Sequence, residues 1–173
     1  AAGDGRYNSQ LLKKVDHLVV SDIEEGALIK LRRNTPRILK KKLRLAVFDI
    51  TKKFPLRSRS LEGILCFGTL HLFPKEILKN IVKEISRILK PGGMIIIDFP
   101  THIKRERFDG KPYVIRGEPH YSNATANTTL RRLFAGYRIR MMPGNIPPES
   151  YPRANPPYTY SSKFILLTGT KSK

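Results

Sequence analysis

The stretch Ala1-Ala-Gly-Asp-Gly-Arg-Tyr7 decides how the rest of the chain is read. Glycines at a turn that leads into a helix let the backbone approach a ligand closely and aim N–H groups at it. A helical pattern follows over residues 8–14, and then the apolar run His17-Leu-Val-Val-Ser21, which reads as a strand ending at Asp22. Asp22 stands seventeen residues after Gly5. Sites that cradle a nucleotide place an acid about 20 residues past their glycine loop, where it binds ribose hydroxyls. Gly3-x-Gly5 alone is a weak signal, since many turns look like it. It becomes strong because Asp22, Asp49 and the turn Pro91-Gly92-Gly93 follow in order.

Moving outward, strands and helices alternate. Residues 24–33 read as a helix with acids in its first turn and bases in its last, as the helix dipole favours. Residues 43–48 read as a second strand ending at Asp49, and residues 61–67 as a third. The clearest helix spans residues 75–89, where Ile77, Leu78, Ile81, Val82, Ile85, Ile88 and Leu89 form one stripe. Pro91-Gly92-Gly93 stops it, and residues 94–98 read as a fourth strand buried on both faces. This alternation predicts an α/β fold with a mostly parallel sheet and right-handed connections. The tail differs. Residues 101–127 read as a polar loop or insertion and residues 128–134 as a short helix. Residues 137–142 and 163–169 read as two strands, and six prolines between them exclude a helix interior.

Bulk composition narrows the function classes. The chain has 173 residues, 40% of them hydrophobic and 27% charged, which suits one globular domain. No apolar run approaches the ~20 residues of a membrane span, and residues 1–7 contain no signal-peptide core. One cysteine, Cys66, excludes an internal disulfide and a cysteine-built zinc site, and fits a reducing cytoplasm. No His/Asp/Glu cluster has metal-ligand spacing, so no metal is expected. The net charge is +19. Residues 30–59 hold twelve bases and the single acid Asp49. Such a field attracts polyanions such as nucleic acid; its plainer meaning is a solubilising, lysine-rich surface.

The glycine loop and its followers resemble a class I S-adenosylmethionine-dependent methyltransferase of the type-11-like, small-molecule kind. Ala1, Gly3 and Gly5 match the three positions of the family's Gly-x-Gly-x-Gly, with Ala in place of the first glycine. The resemblance implies that Asp22 holds the cofactor's ribose and Asp49 the adenine amino group, with Ile23 and Ile50 as apolar contacts to adenine. It places Phe67 and Gly68, after the third strand, beside the cofactor. It covers residues 1–100 well and the tail only by topology. The implied fold is Rossmann-like, a mostly parallel seven-strand sheet with helices on both faces and an antiparallel last strand. Residues 1–173 form one S-adenosylmethionine-binding domain on this reading, with 101–160 a variable substrate-side insertion. The family's first strand, which precedes the glycine loop, is absent from the sequence, and an apolar strand ahead of Ala1 is expected.

The implied activity is methyl transfer to an N, O or C atom of a small molecule or RNA. A non-catalytic cofactor- or nucleic-acid-binding protein of the same fold is the alternative. Because a sulfonium methyl is already activated, alignment matters more than a catalytic dyad, and no catalytic residue is assigned. His71 reads as a general base or as a loop histidine that caps or packs. Cys66 reads as a small buried hydrophobe. The tail's tyrosines and histidines suit base stacking, a small-molecule pocket, or simple support of an extended loop. Lys40-Lys41-Lys42 reads as a solvated helix end.

Overall fold

The computed structural model describes residues 2, 3 and 5–173, in two compact units, Ala1–Arg57 and Ser58–Lys173. In the first, the glycine loop leads into α1 (Asn8–Leu12), followed by β1 (Leu18–Asp22) and α2 (Glu25–Asn34). A 3-10 segment (Arg37–Lys42) then leads to β2 (Leu43–Val47). β1 and β2 pair in parallel, with Leu18 opposite Leu43 and Asp22 opposite Val47. Leu12, Val20, Leu28, Leu31 and Leu43 form the unit's core, one residue each from α1, β1 and β2 and two from α2.

The second unit is built on β4 (Leu89–Arg107), which pairs with β3 (Leu61–Cys66) in parallel and with β6 (Tyr158–Lys171) antiparallel. β5 (Tyr137–Tyr151) closes the order β3-β4-β6-β5. Helices α3 (Lys75–Ile88) and α4 (Asn123–Leu133) complete the unit. The stripe read from the sequence is the buried face of α3, where Leu78, Ile81, Val82, Ile85 and Ile88 are all buried. In β4, Ile95, Ile97 and Phe99 are each 0% exposed, but on the opposite face Met94 is exposed and Ile96 half-buried, so the strand is buried on one face and not on both.

Several expectations change. The described residues form six strands in two sheets, not one seven-strand sheet. The two-stranded sheet is parallel, while the four-stranded sheet is mixed, with one parallel and two antiparallel pairings. The last strand is antiparallel to both neighbours, as the resemblance implies. The strand expected ahead of the glycine loop is not among the described residues, and β1 pairs along only one of its edges.

Pro91-Gly92-Gly93 ends α3 but does so inside a strand register. Leu61 is opposite Leu89 and Gly63 opposite Met94, so residues 90–93 bulge out, with Gly92 at φ 76°. The polar segment 101–127 is less of a loop than its composition suggests. β4 runs on to Arg107, and α4 starts at Asn123 under a capping box from Ser122 and Thr125. Of the six prolines, Pro143, Pro147 and Pro148 lie in strand and the other three in the turn that follows. β5 is an edge strand, which tolerates a missing N–H, and its register shifts between Ile146 and Glu149, at Pro147-Pro148.

Burial on α3 is what the fold leans on. Ile85→Ala should cost about 2–5 kcal/mol in urea unfolding, whereas Lys83→Ala on the exposed face should stay within about 0.5 kcal/mol.

Candidate functional site

The glycine loop is held by an acid. The Asp22 carboxylate, at the C-terminal end of β1, accepts the Gly3 N–H through Oδ2 at 2.9 Å and the Glu24 N–H through Oδ1 at 3.1 Å. The loop is tied to the same strand end by the Ala2 N–H, which donates to the Ser21 carbonyl at 2.9 Å. Burial raises the Asp22 pKa somewhat, but the backbone donors Gly3 and Glu24 outweigh it and hold the carboxyl below its ordinary range. An ionised carboxylate has about four acceptor positions. Backbone N–H groups of Gly3, Glu24 and Ile23 draw on part of that capacity, and the remainder is open to a ligand hydroxyl.

The two glycines work differently. Gly3 adopts φ 50° with no heavy atom within 4 Å of where a Cβ would stand, so the space over it is open. Gly5 adopts φ 82°, and a Cβ there would meet Asn8 Nδ2 and Leu31 Cγ at 2.8 Å. Gly5 therefore allows the turn to close onto α1 and α2, and Gly3 leaves room above the loop. Ala1 lies outside the described residues.

Asp49 follows β2, the parallel neighbour of β1, and the Phe48 N–H donates to the Asp22 carbonyl at 3.1 Å. The two acids thus stand at the same end of adjacent strands. Oδ1 of Asp49 accepts the Thr51 N–H at 2.8 Å and the Thr51 hydroxyl at 2.7 Å. These bonds keep the Asp49 carboxyl below its ordinary pKa. The plain turn role is therefore real, and it uses one oxygen only. Ile23 is 61% exposed, a large apolar surface beside Asp22, and Ile50 is half-buried.

Phe67 and Gly68 lie in the second unit, after β3. Gly68 takes φ 60°, again with open space where a Cβ would be, and its N–H donates to Asp98 Oδ1 at 2.5 Å. Asp98 was legible only as the end of a strand. Burial raises its pKa, against the Gly68 N–H.

Beyond Asp98 lies a cleft of about 310 Å³, with Thr101, His102, Glu118, His120 and Tyr121 on its wall. Glu118 is held in a two-bond ion pair by Arg105, at 2.5 and 2.9 Å. The side chains are only 10% and 6% exposed. His71 Nε2 stands 3.9 Å from Glu118, and Nδ1 is buried without a hydrogen-bond partner. Burial pushes the His71 imidazole down to about 4, with Glu118 pulling the other way. The packing role is the one the structure gives His71, edge-on to Phe99. Cys66 likewise packs: burial pushes its thiol up to about 11.

Three basic side chains are committed elsewhere. Arg105 is buried, Arg107 pairs with Asp109 at 3.2 Å, and Lys42 Nζ donates to the Val15 carbonyl at 2.8 Å and the Leu12 carbonyl at 3.4 Å. Lys42 therefore caps the C-terminal end of α1 and is not a solvated charge. Sequence alone gave no sign of that partner, because it lies 27 residues away.

A family model described as "Methyltransferase domain" matches residues 1–93. The chain belongs to that family. The methyltransferase's matched region runs from the glycine loop to the Pro-Gly-Gly turn. No curated protein matches the sequence. Among solved structures, the YcgJ protein of Bacillus subtilis is similar at TM-score 0.73 and 13% identity, over 99% of this chain and 89% of that one. A S-adenosylmethionine-dependent methyltransferase of Methanosarcina mazei is similar at TM-score 0.66 and 14% identity, over 100% of this chain and 91% of that one. The 1,6-didemethyltoxoflavin-N1-methyltransferase of Burkholderia thailandensis, with bound S-adenosylhomocysteine, is similar at TM-score 0.62 and 15% identity, over 99% of this chain and 68% of that one. These likenesses show the fold, which is Rossmann-like α/β. The chain is thus a methyltransferase-family domain on that fold.

Two outcomes follow from this geometry. Gly5→Ala should lower stability by more than 1 kcal/mol in urea unfolding, and Gly3→Ala by less, since Gly3 meets strain but no clash (order of magnitude from backbone-strain costs). His71 is neutral when folded, and its folded pKa of about 4 lies below the ordinary 6.5, so the unfolded chain binds more protons between those values. Its contribution to stability is complete above pH 6.5 and is lost as the pH falls toward 4. The wild type should lose urea resistance between pH 6.5 and 5, and His71→Gln should lose less over the same interval.

Proposed function

We propose that residues 1–173 act as one methyltransferase domain, holding the cofactor against Gly3, Gly5, Asp22, Ile23, Asp49, Ile50, Phe67 and Gly68, with Ala1 in the loop's first position. S-adenosylmethionine supplies an activated sulfonium methyl group. The observation that carries the reading is the Asp22 carboxylate, fixed at the strand end by backbone N–H groups and with acceptor capacity left over. That donor–acceptor balance suits the two hydroxyls of a ribose. The free oxygen of Asp49 suits the adenine amino group, and Ile23 offers the apolar face that an adenine ring covers. Gly3 and Gly68 leave room where any side chain would intrude.

The protein's part in the reaction is to bind, orient and exclude water. The acceptor is a small molecule or RNA presenting a nucleophilic N, O or C atom, and residues 101–160 form the acceptor side. The cleft of about 310 Å³ within that segment accommodates one ring-sized group, whichever class it belongs to. We further propose that the domain follows the family's mostly parallel seven-strand plan and works in the cytoplasm.

Asp22→Ala should weaken S-adenosylmethionine binding about 10- to 100-fold by calorimetry, the equivalent of losing a charge-assisted hydrogen bond of roughly 1.5–3 kcal/mol. Unchanged affinity would remove Asp22 from the ribose role. Incubating the enzyme and methyl-labelled cofactor with separated RNA and small-molecule fractions then identifies the acceptor class by which fraction takes the label.

A further inference from the structure

α3 and α4 flank a groove of about 340 Å³ in the second unit. From α3 it receives Lys75 and Lys79, with Glu76 as the one acid; from α4 it receives Arg132 and a row of threonines. Lys75, Lys79 and Lys83 recur every fourth residue and all are exposed, so their amino groups follow one face of α3 in steps of about 6 Å. Thr125, Thr128, Thr129 and Arg132 are spaced three, four and seven apart, which places them on one face of α4. No ion pair engages Lys75, Lys79 or Arg132 among the described residues. Two helices therefore face each other with cations on both walls.

Unpaired like charges repel, and a groove that holds three of them is stabilised by a polyanion laid along it. The repeated step along α3 is on the scale of successive phosphates in a single strand. A membrane surface would call for exposed apolar side chains on the same elements. The large exposed apolar residues, such as Ile23, Ile38, Phe108 and Val114, belong to neither helix. The groove and the acceptor-side cleft meet at the start of α4. Ser122 lines the cleft, Thr125 lines the groove, and the two are joined in the capping box that opens α4.

We infer that the α3–α4 groove binds the phosphate backbone of single-stranded RNA, with Lys75, Lys79 and Arg132 as its phosphate contacts, and so directs one nucleotide toward the neighbouring cleft. Binding in the groove does not depend on methyl transfer; the role of RNA as acceptor rests on the function proposed above.

The test is fluorescence anisotropy with a labelled, mixed-sequence single-stranded RNA across a series of KCl concentrations. The triple variant Lys75→Gln/Lys79→Gln/Arg132→Gln should flatten the slope of log affinity against log salt by about 2, from about 0.7 per phosphate contact. Lys79→Gln alone should flatten it by about 0.7. The control Lys40→Gln/Lys41→Gln/Arg44→Gln removes the same charge from the densest basic stretch and should leave the slope unchanged. Equal flattening by both triples, or no salt-dependent binding by the wild type, overturns the inference. So does stronger competition by phosphatidylserine vesicles or duplex RNA than by unlabelled single strands. Calorimetry of S-adenosylmethionine on the same proteins should give one affinity throughout. Loss of cofactor binding by the wild type would count against the proposed function while the RNA slopes still decide the groove.

Discussion

A strand with neighbours on both edges must satisfy its backbone groups on each side while burying its side chains, and β4 is that strand. β3 runs parallel to it and β6 antiparallel. Its Ile95, Ile97 and Phe99 are fully buried, alongside the apolar stripe of α3 in the core of the second unit. The length of β4 also sets the reach of β6, since the pairing extends to Arg107 opposite Tyr158. The tail is ordered for this reason even though its composition is that of a loop: the ladder supplies hydrogen bonds that proline and polar side chains do not forbid at an edge.

In the first unit the corresponding constraint is one carboxylate. Asp22 binds the N–H of Gly3 across nineteen residues, and the same oxygens define where a ligand's hydroxyls would find acceptors. Its structural bonds therefore do not exclude the ligand role proposed for it. The carboxylate fixes the loop because a backbone N–H at a turn needs a partner, and its remaining lone pairs are available because the loop uses only some of them. Asp49 repeats the arrangement with Thr51.

The buried group around Glu118 has a different logic. Arg105 neutralises Glu118 in a part-buried pair, so removal of either partner leaves the other charge poorly solvated. This pairing takes Arg105 out of the basic surface. It also places an uncharged His71 against Glu118, with burial outweighing the carboxylate's pull. Net charge therefore overstates what a polyanion can meet, and position decides which cations remain available. Lys42 makes the same point from the other unit, where it closes the carbonyl end of α1.

The sequence by itself determined the alternation of strands and helices through residue 98, because apolar periodicity is local and the strands end at acids or turns. It determined the glycine loop, the acid at Asp22 and the family, since these depend on spacing along the chain. The burial of α3 was equally legible in the stripe from Ile77 to Leu89. Tertiary structure alone decided the rest. The mixed four-stranded sheet arises from the long β5–β6 hairpin; prolines mask the strand character of β5, and its edge position tolerates them. The partners of Asp98, Arg105 and Lys42 lie 30, 13 and 27 residues away. Side-chain type says that such groups need partners when buried; only the folded chain says which ones they meet.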